Sequence, residues 1–328
     1  MSRSTPNTGP DGSSLPVVHV AAGVLIDNQE KVLLARRSTD SHQGGLWEFP
    51  GGKLEPGEQS HEALSRELEE ELGIQVRSCR PLIRVAHRYP DREVILHTWL
   101  VTDWEGDPRG REGQPLSWMP LEELRDWSMP AADLPILRAL DLPDTYLITP
   151  PGSDDPALFL KQLRRALAGG ISLIQFRVFG LPPSQHEALA RKACRLCEEY
   201  GARMLVNSSL ELALAVGAHG VHLDRRRLAA LADRNGYEGM LLAASCHDAS
   251  ELAQARAVSV DFAVLSPVLP TLSHPDAEVL GWRGFKQLCE NCSVPVYALG
   301  GMSLDLLEQS WRQGGQGIAG IRGLWPPT

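Results

Sequence analysis

The second half of this 328-residue chain alternates short aliphatic runs with helical segments, and this rhythm constrains its fold more than any other feature. Eight runs qualify as strands, namely TYLITP, ISLIQFRV, RMLVNS, HGVHL, MLLAAS, FAVLSPV, PVYALGG and GIAGIRG. Helical segments such as DPALFLKQLRRALAGG lie between them. Near-continuous apolar strands joined by helices indicate a parallel sheet that is covered on both faces. Eight such units predict a (β/α)8 barrel over residues 145–328.

The first half, residues 17–142, mixes strands with few helices. The apolar runs VVHVAAGVLI and KVLLARR flank the turn DNQE, and VILHTWLVTDW and PLSWMPLEEL come after a long helical segment. The boundary between the halves is short and falls at residues 141–146. Residues 1–16 are polar and rich in Ser, Pro and Gly, which predicts a disordered arm.

Residues 52–74, GKLEPGEQSHEALSRELEEELGI, contain the most specific motif of the chain. They fit G-x5-E-x7-R-E-U-x-E-E-x-G-U, where U is a bulky aliphatic residue. The fixed positions are Gly52, Glu58, Arg66, Glu67, Leu68, Glu70, Glu71, Gly73 and Ile74. Given ordinary residue usage, a chance match has odds below about one in 10^5, so the pattern is treated as a motif.

The motif places three carboxylates on one face of a helix. Residues 59–72 contain no Gly or Pro, and Gly73 suits a helix end. Glu67, Glu70 and Glu71 stand at i, i+3 and i+4, where like charges destabilise a helix by roughly 0.2–0.5 kcal/mol per pair. A hard cation such as Mg2+ reverses that balance because it prefers carboxylate oxygens. The alternative is a solvated acidic face, which does not explain the preceding FPGGKLEPGE loop.

Composition limits the function classes. The formal net charge of −9 argues against a surface that binds nucleic-acid polymers, but not against a small nucleotide whose charge is carried by metal ions. No apolar region suited to a secretory signal follows the N-terminus, and no stretch approaches the roughly 20 apolar residues of a membrane span. We therefore expect a cytoplasmic protein without membrane contact. The oligomeric state is left open.

Two C-x-x-C pairs, Cys194/Cys197 and Cys289/Cys292, raise the question of a second metal site. A zinc ribbon would place the pairs about 15–20 residues apart, much closer than they are. Both pairs lie in segments of amphipathic helical character, RKACRLCEEY and FKQLCENCS. Small buried helix residues are the favoured interpretation, and a metal site is the alternative.

The motif and its surroundings resemble Nudix hydrolases. The resemblance is closest to the MutT type, which cleaves oxidised guanine nucleoside triphosphates such as 8-oxo-dGTP to the monophosphate and pyrophosphate. The matching segments are LLARRSTDSHQGGLWEFPGGKLEPGE, YPDREVILHTWLV, WEGDPRGREGQPLSWMPLEEL and MPAADLPIL. The resemblance implies an α/β/α sandwich and a pyrophosphohydrolase that uses Mg2+, with Mn2+ as an alternative. Such an enzyme would sanitise the nucleotide pool and so serve DNA repair and replication.

The resemblance also implies roles for individual residues. Glu67, Glu70 and Glu71 would be catalytic metal ligands, and the carbonyl of Gly51 or Gly52 would add an oxygen. Glu112, in GREGQP, would bind metal through water or act as a general base. The structural positions of the motif would be Gly52, Glu58, Arg66 and Gly73, with Glu58 and Arg66 pairing to tie the loop to the helix.

The substrate-binding positions implied by the resemblance are Arg37, His42, Phe49, Tyr89 and Arg92. A further one, Asp133, aligns with the base-reading Asn of the family. An Asn donates and accepts at once, as the O6 and N7–H edge of 8-oxoguanine requires; an ionised Asp only accepts, whereas a protonated Asp does both. Burial would raise its pKa in that direction. The alternative role for Asp133 is the N-cap of the helix LPILRAL.

Residues 145–328 resemble thiamine phosphate synthase, which joins a pyrimidine pyrophosphate to a thiazole phosphate on a TIM barrel. The matching pieces are IQFR, LVNSS, GAHGVHL, SCH, SPVLPTLSH, ALGGM and GIAGIRG. They imply a ligand site at the strand ends, which would contain Gln175, Arg177, Asn207, Ser245 and Gly301. The turns ALGGM and AGIRG would hold a phosphate with backbone amides.

The barrel departs from that family at charged positions. Ser208 replaces an Asp, Arg227 aligns near the second metal-binding Asp, and Phe179 and His274 replace lysines. Asp224 is an alternative carboxylate. Without the acidic pair the barrel should bind Mg2+–pyrophosphate poorly, which favours a ligand-binding, regulatory or structural barrel over a working synthase.

Three functional hypotheses follow. The first is a nucleotide-pool pyrophosphohydrolase joined to a degenerate barrel. The second is a Nudix hydrolase of thiamine-related pyrophosphates, or a bifunctional protein that retains synthase activity. The third is a general nucleotide diphosphatase with a purely ligand-binding barrel, in which residues 225–227 hold a phosphate or form only a solvated basic turn. Similarity to MutT-type enzymes across the whole first half favours the first.

Overall fold

A computed structural model of the chain describes residues 15–39, 43–151, 155–271 and 278–327. Its contacts divide the chain into two compact units, Met1–Asp141 and Leu142–Thr328. Residues 1–14 of the predicted arm lie outside the described residues. The last two residues of that segment are described: Leu15 is buried, and the Pro16 carbonyl accepts a hydrogen bond from the amide of Glu93.

The first unit is an α/β/α sandwich. Its elements are β1 Val17–Leu25, β2 Lys31–Arg36, β3 Trp47–Glu48, β4 Gly51–Lys53, α1 Ser60–Leu72, β5 Gln75–Arg88, β6 Glu93–Glu105, β7 Leu116–Pro120, a 3-10 turn Leu121–Asp126 and α2 Leu134–Leu140. One sheet has the order β4-β1-β6-β5 and the other β3-β2-β7, and only β1 and β6 pair in parallel.

The alternation of side chains along β1 explains why helices cover both sides of the sheets. Ala21 and Leu25 point to one face and pack with the apolar stripe of α1. Ala22 and Val24 point to the other and pack with α2. A strand with two buried faces reads as a continuous apolar run, as β1 does, and the predicted sandwich is confirmed.

The second unit is a closed eight-stranded parallel barrel. Its elements are β8 Thr145–Ile148, α3 Pro156–Ala168, β9 Leu173–Phe176, α4 Pro183–Glu199, β10 Arg203–Val206, α5 Leu210–Val216, β11 Gly220–Leu223, α6 Arg225–Ala230, β12 Leu241–Cys246, α7 Ala249–Ala257, β13 Phe262–Leu265, α8 Gly281–Cys289, β14 Val296–Ala298, a 3-10 turn Leu304–Leu306, α9 Leu307–Arg312 and β15 Gly317–Gly320. Each strand pairs with the next, and β15 closes on β8. The predicted barrel and its eight strands are confirmed.

Closure of the barrel depends on a close backbone approach. At Gly317 an added Cβ would lie 1.9 Å from the Asp144 carbonyl oxygen, so a larger residue would push β15 away from β8. Inside, Tyr146 packs edge-on against Phe262, with ring centroids 5.0 Å apart. The interior is therefore filled by side chains, as in other barrels of this kind.

The cysteine pairs are mostly buried helix residues. Cys194 and Cys197 are buried on α4. The prediction that the second pair lies within one helix is wrong for Cys292, because α8 ends at Cys289 and the chain turns there, the Cys292 amide donating to the Cys289 carbonyl at 3.0 Å. Pro295 follows closely and disfavours helical conformation in the residue before it.

No helix in the part of the chain that the structure describes is long and apolar enough to cross a membrane.

Candidate functional sites

Helix α1 is held at both ends in a way that fixes its acidic face. At the start, the Glu62 carboxylate accepts from the Gln59 amide at 2.9 Å. At the end, Gly73 adopts a left-handed conformation, φ 74, and its amide donates to the Glu69 carbonyl at 3.1 Å. This confirms the predicted helix end. Burial of the apolar stripe leaves the three glutamates of the motif on the remaining surface.

Arg66 links the preceding loop to the helix. Its Nε and Nη2 atoms each donate to the Glu58 carboxylate at 2.9 Å, so the predicted pairing is confirmed. Its Nη1 donates to Glu67 at 2.8 Å, and its Nη2 also reaches the Lys53 carbonyl at 3.1 Å. At Gly52 an added Cβ would lie 2.2 Å from the Glu67 carboxyl carbon. Only glycine leaves room for that carboxylate.

Glu71 is the carboxylate whose surroundings are least favourable to its charge. Burial, followed by the negative charges of Glu67, Glu112 and Glu48, raises its pKa to about 7. The amide of Gly51 donates to its Oε2 at 3.2 Å and opposes that shift. The glycine therefore contributes an N–H donor to the site, whereas the sequence pointed to a carbonyl.

The loop that carries Glu112 is fastened to the end of α1. The amide of Arg111 donates to the Glu71 carbonyl at 2.9 Å, and Gln114 Nε2 donates to the same oxygen at 3.2 Å. Glu112 itself is exposed. Glu70 is also largely exposed, with its carboxylate 3.7 Å from Arg66.

The chemistry of this donor set fits a hard divalent cation. The carboxylates supply oxygen ligands, and the pKa of Glu71 is raised chiefly by burial and further by the negative charges of Glu67, Glu112 and Glu48. Among the described residues no three His, Cys, Asp or Glu side chains are already gathered around one point. Arg66 holds Glu67, and the Gly51 amide holds Glu71, so a cation would have to draw these carboxylates from their present hydrogen bonds.

A pocket of about 160 Å3 adjoins this face. Its described lining residues are Val18, Val20, Arg37, Gln43, Glu48, Lys53, Tyr89, Arg92, Val94, Leu96, Pro130, Ala132 and Asp133. The structure thus brings together four of the predicted substrate positions. Phe49 is not among the lining residues and packs in the core instead, and His42 lies outside the described residues. The volume is below the roughly 300–1,000 Å3 of a site for a whole ligand, which suits one part of a nucleotide such as its base.

Asp133 is the most unusual group in this pocket. Its side chain is only 6% exposed, and its Oδ2 has no hydrogen-bond partner among the described residues. It precedes α2 but makes no capping hydrogen bond, so the capping alternative does not hold. Burial, reinforced by Glu48 and opposed by Arg37, raises its pKa to about 8. Asp133 is therefore predominantly a neutral carboxylic acid at pH 7.

Glu48 is the residue that the sequence interpretation missed. It pairs with Arg37, lines the pocket, and its charge acts on both Glu71 and Asp133. Burial raises its own pKa, against the effect of Arg37. The available signal was an acidic residue between two aromatic ones in WEF, just before the glycines of the motif.

The barrel holds a larger cavity of about 1150 Å3. Four of the five predicted ligand residues line it, namely Gln175, Arg177, Asn207 and Ser245. The fifth, Gly301, is not among the described lining residues, whereas its neighbour Gly300 is. Gly301 turns instead against the loop, where an added Cβ would lie 2.9 Å from the Pro270 carbonyl. Arg177, Arg322 and His247 line the cavity, and its described lining contains no Asp or Glu.

Asp224, the alternative carboxylate predicted from the sequence, is engaged in bonds that leave it poorly suited to a metal ion. Asp224 caps α6 by accepting from the Arg227 amide at 2.8 Å and lies 3.3 Å from the Arg227 guanidinium. Arg227 in turn donates to Asn207 Oδ1 at 3.3 Å. His274 lies outside the described residues.

Comparison with known sequences agrees with this division. The profile of the Nudix domain matches residues 21–139, and that of thiamine monophosphate synthase matches residues 145–324. This chain belongs to both families. It joins a Nudix pyrophosphohydrolase domain to a thiamine phosphate synthase-like barrel.

Individual relatives match each half. An 8-oxo-dGTP diphosphatase of Escherichia coli is 38% identical over 123 residues, which cover 38% of this chain and 95% of that protein. A CTP pyrophosphohydrolase of Escherichia coli is 39% identical over 125 residues, 38% of this chain and 92% of that protein. A thiamine-phosphate synthase of Limosilactobacillus fermentum is 33% identical over 177 residues, 51% of this chain and 81% of that protein.

Proposed function

We propose that the first unit hydrolyses nucleoside triphosphates to monophosphates and pyrophosphate with Mg2+, and that 8-oxo-dGTP is its preferred substrate. The observation that carries the base preference is Asp133, a buried, unpartnered carboxyl group in the pocket beside the acidic helix face. As a neutral acid it donates to O6 through its hydroxyl and accepts from N7–H through its other oxygen. Unmodified guanine has no hydrogen on N7, so it forms only one of these two bonds.

The hydrolytic step is proposed to run on the α1 face. Glu67, Glu70 and Glu71 would hold Mg2+, which supplies charge neutralisation of phosphate oxygens and a more acidic water when bound. Arg66 orients Glu67 before substrate arrives. The attacking water forms a bond to phosphorus as the bridging P–O bond breaks, and a carboxylate, Glu112 or Glu71, accepts its proton. No covalent enzyme intermediate is required.

A second candidate substrate class, cytidine triphosphates, would require Asp133 to be ionised. Ionised Asp133 only accepts hydrogen bonds, and this suits the amino group at C4 of cytosine. The similarity to a CTP pyrophosphohydrolase supports the same alternative. The protonation state of one carboxyl group therefore separates the two candidates.

A substrate panel with Mg2+ tests the proposal. We expect kcat/KM to be highest for 8-oxo-dGTP and lower for dGTP, CTP, ADP-ribose and thiamine or pyrimidine pyrophosphates. A preference for CTP would assign the pocket to the second candidate, and a preference for ADP-ribose or thiamine compounds would overturn both. Asp133→Asn keeps a donor and an acceptor, so it should retain activity on 8-oxo-dGTP.

For the barrel we propose ligand binding without synthase activity. Arg227 in place of a carboxylate, and its bond to Asn207, support this because they leave no acidic pair for Mg2+–pyrophosphate. Incubation with the pyrimidine pyrophosphate and the thiazole phosphate should yield no thiamine phosphate. Turnover above a boiled control would refute this part of the proposal.

A further inference from the structure

Five consecutive hydrogen bonds connect Arg227 to the cavity residue Ser245. Arg227 Nη1 lies 3.3 Å from Asn207 Oδ1, and Asn207 Nδ2 lies 3.1 Å from Gln175 Oε1. A guanidinium can only donate, so Asn207 must present its oxygen to Arg227 and its amino group to Gln175. Gln175 then has its own amino group left for the next partner. The permanent cation therefore sets the direction of the first two bonds.

The same direction continues through the barrel interior. Gln175 Nε2 donates to the Tyr146 hydroxyl at 3.4 Å, and that hydroxyl lies 3.2 Å from His222 Nδ1. Because the tyrosine oxygen accepts from Gln175, its hydrogen is directed to Nδ1. His222 is fully buried, and burial lowers its pKa to about 3, so the ring is neutral. With Nδ1 accepting, the proton of the ring stands on Nε2.

The last bond of this series reaches the cavity. His222 Nε2 lies 2.8 Å from Ser245 Oγ. Since Nε2 carries the hydrogen, it donates, and Ser245 keeps its own hydroxyl hydrogen for a group in the cavity. Chains of hydrogen bonds that run in one direction polarise each other, so Ser245 is a strengthened donor. An oxygen with negative charge is its best partner.

The other cavity residues also favour a ligand with negative charge. Arg177 is half-buried, its guanidinium stacks 4.9 Å from the centre of the Phe179 ring, and burial lowers its pKa. No carboxylate lies within ion-pair distance of it among the residues that the structure describes. A buried cation without a counter-ion is costly unless a ligand supplies the negative charge.

We propose that the barrel cavity binds a phosphate-bearing small molecule directly through Arg177 and Ser245, without a divalent cation, and that Arg227 acts as a positioning residue by fixing the direction of the hydrogen-bond chain that ends at Ser245. This inference rests on the proposed ligand-binding role of the barrel and does not involve hydrolysis by the first unit. In a carboxylate–metal site a bound cation supplies the positive charge, whereas here the side chain of Arg177 supplies it.

The direction of the chain is tested by the tautomer of His222, read from 15N-histidine NMR spectra of the full chain in EDTA and assigned with His222→Gln. We expect the Nε2–H tautomer in the natural protein. In Arg227→Asp the new acceptor should turn the amides of Asn207 and Gln175 around, so that His222 becomes the Nδ1–H tautomer. The matched control is Arg226→Asp, an exposed neighbour with the same charge change, which should leave the tautomer as it was. An Nδ1–H tautomer in the natural protein, or no change in Arg227→Asp, would overturn the positioning role.

Ligand binding is tested separately by calorimetry with inorganic pyrophosphate as the probe. We expect binding in EDTA that Mg2+ does not strengthen, and a loss of affinity of about tenfold or more in Arg177→Gln and in Ser245→Ala, since each removes a bond to a charged group. Arg195→Gln, at an exposed position on α4, should bind as the natural protein does. Binding that requires Mg2+, that survives Arg177→Gln, or that is absent would each refute the site, whatever the activity of the first unit.

Discussion

The acidic face of α1 and the cavity of the barrel are built with opposite charges. At the acidic face of α1, burial raises the pKa of Glu71, and the negative charges of Glu67 and of Glu112 in the neighbouring loop add to that rise. In the barrel, Arg177 is half-buried, no carboxylate pairs with it among the described residues, and burial lowers its pKa. In both cases the surroundings disfavour the charged form of the side chain. The first state is relieved by a cation and the second by an anion, which is why one site is expected to depend on metal and the other not.

Each site also depends on an arginine beside it, and the two arginines act differently. Arg66 donates to two carboxylates and keeps the face acidic and ordered. Arg227 donates to an amide and, through it, directs a series of neutral groups. An ionised carboxylate only accepts hydrogen bonds, whereas an amide side chain both donates and accepts and so fixes the orientation of its next partner. The second arrangement can therefore carry orientation from a surface helix to the barrel interior.

The Glu71→Gln substitution is expected to have the largest effect, and it tests whether the acidic face of α1 is the metal-dependent site. We expect kcat for 8-oxo-dGTP to fall by about 10²–10⁴, because the change removes a charged group from the reacting centre while keeping its shape. The measurement is pyrophosphate release at saturating Mg2+. Glu69→Gln, an exposed position on the same helix that is not one of the fixed positions of the motif, is the matched control and should retain the natural rate. Unchanged turnover in Glu71→Gln would contradict the assignment of the α1 face.

A smaller effect should appear in the pH profile. Asp133 is protonated below a pKa of about 8 and loses its donor above it. We expect kcat/KM for 8-oxo-dGTP to fall about fivefold between pH 8 and 9 as the neutral acid is lost. Asp133→Asn does not titrate, so it should lose this alkaline decline and keep the decline at acid pH that protonation of Glu71 causes. A decline at alkaline pH that persists in the variant would assign it to another group.

Much of the fold could be predicted from the sequence because the spacing of apolar residues determines which segments form helices and strands. The eight runs of the second half and the stripe of α1 are buried as expected, since burial of those side chains drives formation of the elements. The Glu58–Arg66 pair was also predictable, because the two positions are fixed within one motif. The spacing alone brings them together across a tight loop.

The parts that escaped prediction depend on contacts between distant segments. Nothing in the order of residues shows that Glu48 faces Glu71 and Asp133, or that Phe49 beside it turns into the core. The hydrogen bonds from Arg227 to Ser245 join residues on α6, β8, β9, β11, β12 and the loop after β10. No sequence pattern shows that these residues are in contact. The same holds for the adjacent glycines Gly300 and Gly301, because only the direction of the backbone decides that Gly300 lines the cavity.

The smallest expected effect is on stability, and it concerns the glycines that end one helix in each unit. Gly73 ends α1 and Gly217 ends α5 with the same dihedral angles, φ 74 and ψ 28. Replacement by Ala should destabilise either helix end by about 1–2 kcal/mol, because a left-handed conformation is strained for a residue with a Cβ. At Gly73 the added Cβ would also meet the Arg111 guanidinium at 2.4 Å, whereas at Gly217 nothing lies within 4 Å.

Gly73→Ala should therefore cost more than Gly217→Ala, as measured by hydrogen exchange of the amides in each helix. It should also shift the loop that holds Glu112 and so lower the rate of hydrolysis, because Arg111 donates its amide to the Glu71 carbonyl. Pyrophosphate binding by the barrel should stay as it was in Gly73→Ala. Equal costs at the two glycines would mean that Arg111 moves aside freely, and that the Glu112 loop is less tightly fastened to the acidic face than its hydrogen bonds indicate.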